Sequence, residues 1–217
     1  MIIRQLKLKT NKFSEMKSFY RDVLQLPFLE ETNTSFSVDA GETVVIYESA
    51  EAHTFYHYAF YVNKAHFDRV LENIVEHSPL LADETGQTEF MSGAWKRKQV
   101  YFKDAQGNIL EILPTVEEMS AEKTWVRVQE FGVPVDNLDE FISEVNQLSN
   151  IFSKNSDHFC FYGDESGVLV LVKEGRPWFP TDLPAISSPA ELIVVDDCQM
   201  EVECGNLKLK AHRESMP

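Results

Sequence analysis

The sequence predicts an α+β chain built from repeated β-α-β-β-β units, and three observations predict it. First, an alternating strand-like run is followed by an amphipathic helical stretch three times over, at 2–10 then 14–24, 55–62 then 67–75, and 126–133 then 138–148. Second, each helical stretch is followed by further short strand runs. Third, Val100-Tyr101-Phe102-Lys103-Asp104-x-x-Gly107 is matched by Cys160-Phe161-Tyr162-Gly163-Asp164-x-x-Gly167, a strand, turn and strand signature of internal duplication.

In the first unit, Leu6 and Leu8 alternate with Gln5, Lys7 and Lys9, which reads as a half-buried strand. Met16, Phe19, Tyr20, Val23 and Leu24 then recur on one helical face, which Pro27 ends. Runs at 28–31, 35–38 and 43–47 complete the unit, the last two joined by a turn at Gly41. The second unit opens with His57, Ala59 and Tyr61 on one face and Tyr58, Phe60 and Val62 on the other. Its helix ends at Pro79, and strands follow near 98–102 and 108–113.

The second unit closes on residues 104–111, Asp-Ala-Gln-Gly-Asn-Ile-Leu-Glu. Gly107 supplies the positive φ of a tight turn. In the strand after it, Ile109, Glu111 and Leu113 share a face, so a carboxylate lies between two large apolar side chains. Such a face implies a concave, partly dry interior.

A charged linker at 117–123 leads to the third unit, whose last strands fall at 159–162 and 168–172. Four prolines in 177–189 mark a loop. The tail, with runs at 191–195, 200–204 and 207–211 and a Gly205-Asn206 hairpin turn, reads as a fourth unit without a helix. The expected domains are 1–116, holding the first two units, and 124–217, holding the other two.

The chain has 217 residues, 43% hydrophobic and 12% aromatic, enough to bury roughly 70% of its unfolded surface. A net charge of −15 argues against nucleic acid and anionic membrane partners. No stretch has the 18 apolar residues of a membrane helix, and the first ten residues lack a signal peptide's apolar core, so a cytoplasmic protein is expected. Cys160, Cys198 and Cys204 lack the spacing of a zinc knuckle or a disulfide frame.

His57 in His-Tyr-Ala-Phe-Tyr-Val, Asp104-x-x-Gly107-Asn108-x-x-Glu111, and Phe19-Tyr20 on the first helix resemble the vicinal oxygen chelate superfamily. That superfamily includes glyoxalase I, fosfomycin-resistance and bleomycin-binding proteins, and extradiol dioxygenases. The resemblance implies cupped mixed sheets in which two units enclose a divalent metal, here Mn, Fe, Ni or Zn. It implies His57, Glu111 and Gln5 as ligands, with Tyr47 at the fourth-ligand position and Glu48 on the opposite face. Imidazole and carboxylate suit such ions, and three ligands leave positions for two adjacent substrate oxygens. Tyr47, Tyr61 and Trp95 are expected in the pocket, with Tyr47 and Tyr61 as candidate acids or bases and the catalytic residue undetermined. Lys96, Arg97 and Lys98 form a basic cluster that reads as a solvated face or as a contact for a substrate carboxylate.

Two functions follow from the resemblance: a metal-dependent lyase, isomerase or oxygenase acting on a small molecule with vicinal oxygens, or a metal-free sequestering protein of the bleomycin-resistance type. A third reading is a non-catalytic domain that docks another protein. Glu130 matches Gln5 in the third unit, but Leu171 stands where the second unit has Glu111, so a cup of units three and four is expected to lack metal. Units one and two pair either within one chain or between the chains of a homodimer.

Overall fold

The computed structural model describes residues 1–117, 119–120, 122–148 and 151–213. Unit one comprises β1 (Ile2–Thr10), α1 (Phe13–Ser18, extended by a π turn over Phe19–Val23), β2 (Phe28–Glu31), β3 (Ser35–Asp39) and β4 (Val44–Ser49). Unit two comprises β5 (His57–Val62), α2 (Phe67–His77), β6 (Glu89–Met91), β7 (Lys98–Lys103) and β8 (Ile109–Pro114). Unit three comprises β9 (Trp125–Val135), α3 (Leu138–Glu144), β10 (Ile151–Ser156), β11 (Phe159–Asp164) and β12 (Gly167–Lys173). The tail supplies β13 (Ala190–Val195), β14 (Met200–Cys204) and β15 (Leu207–His212). Three strands thus follow the third unit with no helix among the described residues between them, while β6 and β10 are strands the sequence reading did not place.

These strands form two mixed sheets. A seven-stranded sheet runs β14-β15-β13-β1-β4-β3-β2, and an eight-stranded sheet runs β10-β11-β12-β9-β5-β8-β7-β6. Unit one thus shares a sheet with unit four, and unit two with unit three, all within one chain. This differs from the expected pairing of units one and two as residues 1–116 and of units three and four as 124–217. The physical reason lies at the linker between β8 and β9. Asn63, at the end of β5, donates from Nδ2 to the carbonyls of Ser120 (3.2 Å) and Lys123 (2.8 Å), and its backbone N–H donates to Thr124 (2.8 Å). Pinned there, the chain re-enters antiparallel beside β5 as β9, so the linker is a connection within one sheet.

Alternation gives each sheet one face toward a shared apolar core. Leu6, Leu8, Val45 and Tyr47 of one sheet and Tyr58, Phe60, Val128 and Phe131 of the other join it, with Met16 and Tyr20 from the first helical segment and Phe67 and Ile74 from α2. The opposite face of the eight-stranded sheet carries a second apolar cluster that includes Ala59, Tyr61, Trp95, Tyr101, Ile109 and Trp178. On the matching face of the seven-stranded sheet, Glu48 meets Lys7 (2.9 Å) and Lys9. No described helix is long and apolar enough to cross a membrane.

Candidate metal centre

Three neighbouring strands at the middle of the eight-stranded sheet position the site. Ala59 of β5 lies in register with Glu111 on β8 and with Glu130 on β9. His57 is two residues before Ala59 and therefore on the same face. The methyl group of Ala59 leaves the space between the two carboxylates open. His57, Glu111 and Glu130 each bring one ligand atom to within 4.8 Å of the others, and all three are buried.

The hydrogen bonds around the cluster orient it. His57 Nδ1 lies 3.0 Å from the carbonyl of Ile109, which only accepts, so Nδ1 carries the proton and Nε2 keeps its lone pair. Burial lowers the His57 pKa to about 4, so the imidazole is neutral at pH 7. Its ring packs on Trp178, with centroids 4.6 Å apart. Gly132 permits this packing, since a Cβ there would lie 2.7 Å from the Trp178 ring. Trp95 Nε1 donates to Glu130 Oε1. The Tyr101 hydroxyl lies against Glu111 and accepts from Gln99 Nε2 at 2.6 Å. Burial first, and then the Glu130 charge, pushes the Glu111 carboxyl well above its usual range, and burial does the same to Glu130.

A divalent cation fits this donor set. Glu111 Oε1 is buried without a hydrogen-bond partner, and two adjacent carboxylates lack a cationic neighbour among the described contacts. Two carboxylates match a double positive charge, and the neutral imidazole adds a nitrogen donor. A cavity of about 340 Å³, lined in part by Gln99, Tyr101, Glu111, Glu130 and Phe161, opens onto the cluster.

The structure brings together His57 and Glu111, as the sequence suggested, and places Gln5 elsewhere. Gln5 lies on β1 in the seven-stranded sheet, between Val44 and Ile193. Glu130, its counterpart in unit three, stands beside His57 and Glu111, because unit three is the neighbour of unit two. Tyr47 is also outside the cup. It is in register with Leu8 on the core face and fully buried, with its hydroxyl 3.3 Å from that of Tyr20 and 3.1 Å from that of Tyr58. Glu48, rather than Tyr47, shares the face of Gln5. Tyr61 and Trp95 do lie on the cup side, packed edge to face at 6.0 Å. Sequence reasoning passed over Trp178 and left Tyr101 without a role; the Pro-rich loop that carries Trp178 gives no periodic signal.

No family pattern and no curated protein sequence matches this chain. Solved structures do. A protein of Bacillus subtilis subsp. subtilis named as a candidate dioxygenase superposes with a TM-score of 0.64 at 14% identity, over 97% of this chain and 85% of its own. A glyoxalase I variant from Zea mays superposes with a TM-score of 0.58 at 11% identity, over 88% and 74%. At these identities the likeness concerns the fold. The cupped sheets and the repeated units give the chain the vicinal oxygen chelate fold.

Proposed function

We propose that this chain is a metal-dependent enzyme that acts on a small molecule presenting two adjacent oxygens, by a lyase, isomerase or oxygenase reaction. The observation that carries this reading is the buried His57, Glu111 and Glu130 cluster with an unpartnered Glu111 oxygen, facing a cavity of about 340 Å³. His57 through Nε2 and the two carboxylates would hold the ion. A bound divalent cation supplies positive charge that polarises a substrate carbonyl or steadies a developing enolate. The oxygen-rich donor set suits Mn²⁺ and Fe²⁺, while Ni²⁺ and Zn²⁺ gain from their higher intrinsic affinity.

The chain's own groups complete the chemistry. Trp95 fixes the Glu130 carboxylate, and Tyr101 fixes Glu111, so both carboxylates are oriented before any ligand arrives. Trp178 and the aromatic lining exclude water from His57. A metal-free sequestering role is less well supported, because it leaves two buried carboxylates close together, balanced only by a retained proton, with one Glu111 oxygen unpartnered.

The test is turnover by chelator-treated protein reloaded with Mn²⁺, Fe²⁺, Ni²⁺ or Zn²⁺. Oxygen uptake with catechols and absorbance change with hemithioacetals of 2-oxoaldehydes report the two main reaction classes. Activity that returns with one of these ions and is absent from Glu130→Gln supports the proposal. Metal-independent activity, or no binding of any of the four ions, overturns it.

A further inference from the structure

The cup has a neighbour that the metal cluster does not use. A cavity of about 540 Å³ is lined in part by Tyr61, Trp95, Arg97, Val126 and Arg127. Trp95 is common to its wall and to the metal cluster, since it also donates to Glu130. The guanidinium carbons of Arg97 and Arg127 lie 5.0 and 5.2 Å from the centre of the same Tyr61 ring. Two guanidiniums converging on one ring are unexpected in a chain of net charge −15.

The local fold holds them there. Ser92 and Arg97 close a turn through the Ser92 N–H and the Arg97 carbonyl at 2.7 Å, and this turn sends Trp95 into the cup and Arg97 to the cavity. The described polar contact of Arg97 is with the carbonyl of Pro114, at 3.4 Å. Arg127 donates to Gln129 Oε1 at 2.7 Å and to Glu42 at 3.3 Å. The Tyr61 hydroxyl is buried and has no hydrogen-bond partner. Burial raises its pKa to about 12, so it remains a donor at neutral pH. Glu117 and Glu165 also line the cavity, but both are exposed at its rim, where solvent screens them.

We propose that this cavity binds the carboxylate of an anionic substrate, with Arg97 and Arg127 as cationic walls and the Tyr61 hydroxyl as a further donor. Glu42 already offsets much of the Arg127 charge, so about one positive charge is left to match. A planar monoanion supplies it, whereas a phosphate dianion exceeds it. The shared Trp95 wall places the carboxylate next to the metal cluster, so the proposal names the substrate class for that site and rests there on the metal reading. The substrate would carry its vicinal oxygens at one end and a carboxylate at the other.

Benzoate and its neutral isostere benzamide test this by calorimetric titration of the full chain, first metal-free and then with Mn²⁺. Benzoate should bind at least tenfold more tightly than benzamide, and inorganic phosphate should not displace it. Arg97→Gln should bring the two probes within twofold of each other, and Arg97→Lys should retain part of the preference. Arg127→Gln, as a second variant, should weaken benzoate binding alone. Circular dichroism confirms that each variant is folded. Equal binding of the two probes by the native chain, or a preference unchanged in Arg97→Gln, overturns the subsite. Mn²⁺ binding without a benzoate preference leaves the metal reading intact and removes the subsite. A benzoate preference without Mn²⁺ binding does the reverse.

Discussion

Replacing Glu130 by Gln should stabilise the metal-free protein while removing its affinity for metal. Glu111 and Glu130 offer oxygens within 4.8 Å of each other in a buried site. Two unit charges at that separation repel by about 3.5 kcal/mol at an effective dielectric constant of about 20. The protein lessens this by holding a proton on the pair, so the folded carboxyls titrate above their unfolded values, through burial first and then mutual repulsion. A folded pKa raised in this way gives a contribution that is full below the unfolded value of about 4.3 and is lost as pH rises through the folded values. The native metal-free chain therefore loses stability between about pH 5 and pH 8, and Glu130→Gln, which keeps the burial of Glu111 but not the repulsion or the second titrating carboxyl, should lose less. Gln retains an oxygen that accepts from Trp95, so the expected gain at pH 8 is about 1–3 kcal/mol, or about 2–10 °C in Tm. Scanning calorimetry of both proteins, chelator-treated, at pH 5 and pH 8 measures it. A variant less stable than the native chain at pH 8, or a difference independent of pH, would refute the reasoning. Loss of metal should accompany the gain. Outer-shell substitutions cost 10–100-fold in affinity, and removal of a charged ligand should exceed about 100-fold.

Three further substitutions separate site from scaffold. Ala59→Leu fills the space between the carboxylates without changing a ligand, so metal uptake should be lost, with about 1–3 kcal/mol of overpacking visible in denaturant titration. Tyr47→Phe removes a hydroxyl from the Tyr20, Tyr47 and Tyr58 cluster, and should lower stability by about 1 kcal/mol with Mn²⁺ affinity unchanged. Asp104→Ala removes the acceptor for the backbone N–H groups of Gln106, Gly107 and Asn108, each at 3.0 Å, and for Asn108 Nδ2 at 2.7 Å. The turn that launches β8 then lacks its anchor, and urea denaturation should show a loss of about 2–4 kcal/mol.

His57 and Glu111 were legible in the sequence because each lies on a strand whose alternation can be read locally. His57 shares a face with Ala59 and Tyr61, and Glu111 shares one with Ile109 and Leu113, as the two apolar clusters confirm. Glu130 was legible as the counterpart of Gln5, but its role depends on which units are neighbours. In the fold that choice goes with the Asn63 hydrogen bonds to the backbone of the β8–β9 linker, and neither hydrophobic pattern nor repeat length records it, because the same faces are buried under either pairing. Tyr47 was assigned to the wrong face for a related reason. The register of β4 against β1 sets Tyr47 beside Leu8 and Glu48 beside Lys9, and register across a sheet is not a property of one strand. Trp178 lies in an irregular loop, where its packing on His57 follows from three-dimensional proximity alone.

The most direct test is the metal content of the chain purified without a histidine tag, by elemental analysis after reloading, with His57→Ala, Glu111→Gln, Glu130→Gln and Gln5→Ala in parallel. The structure predicts about one equivalent of a divalent metal in the native chain and in Gln5→Ala, and loss of most of it in the other three. No bound metal in the native chain, or loss in Gln5→Ala with retention in Glu130→Gln, would contradict a centre built from His57, Glu111 and Glu130.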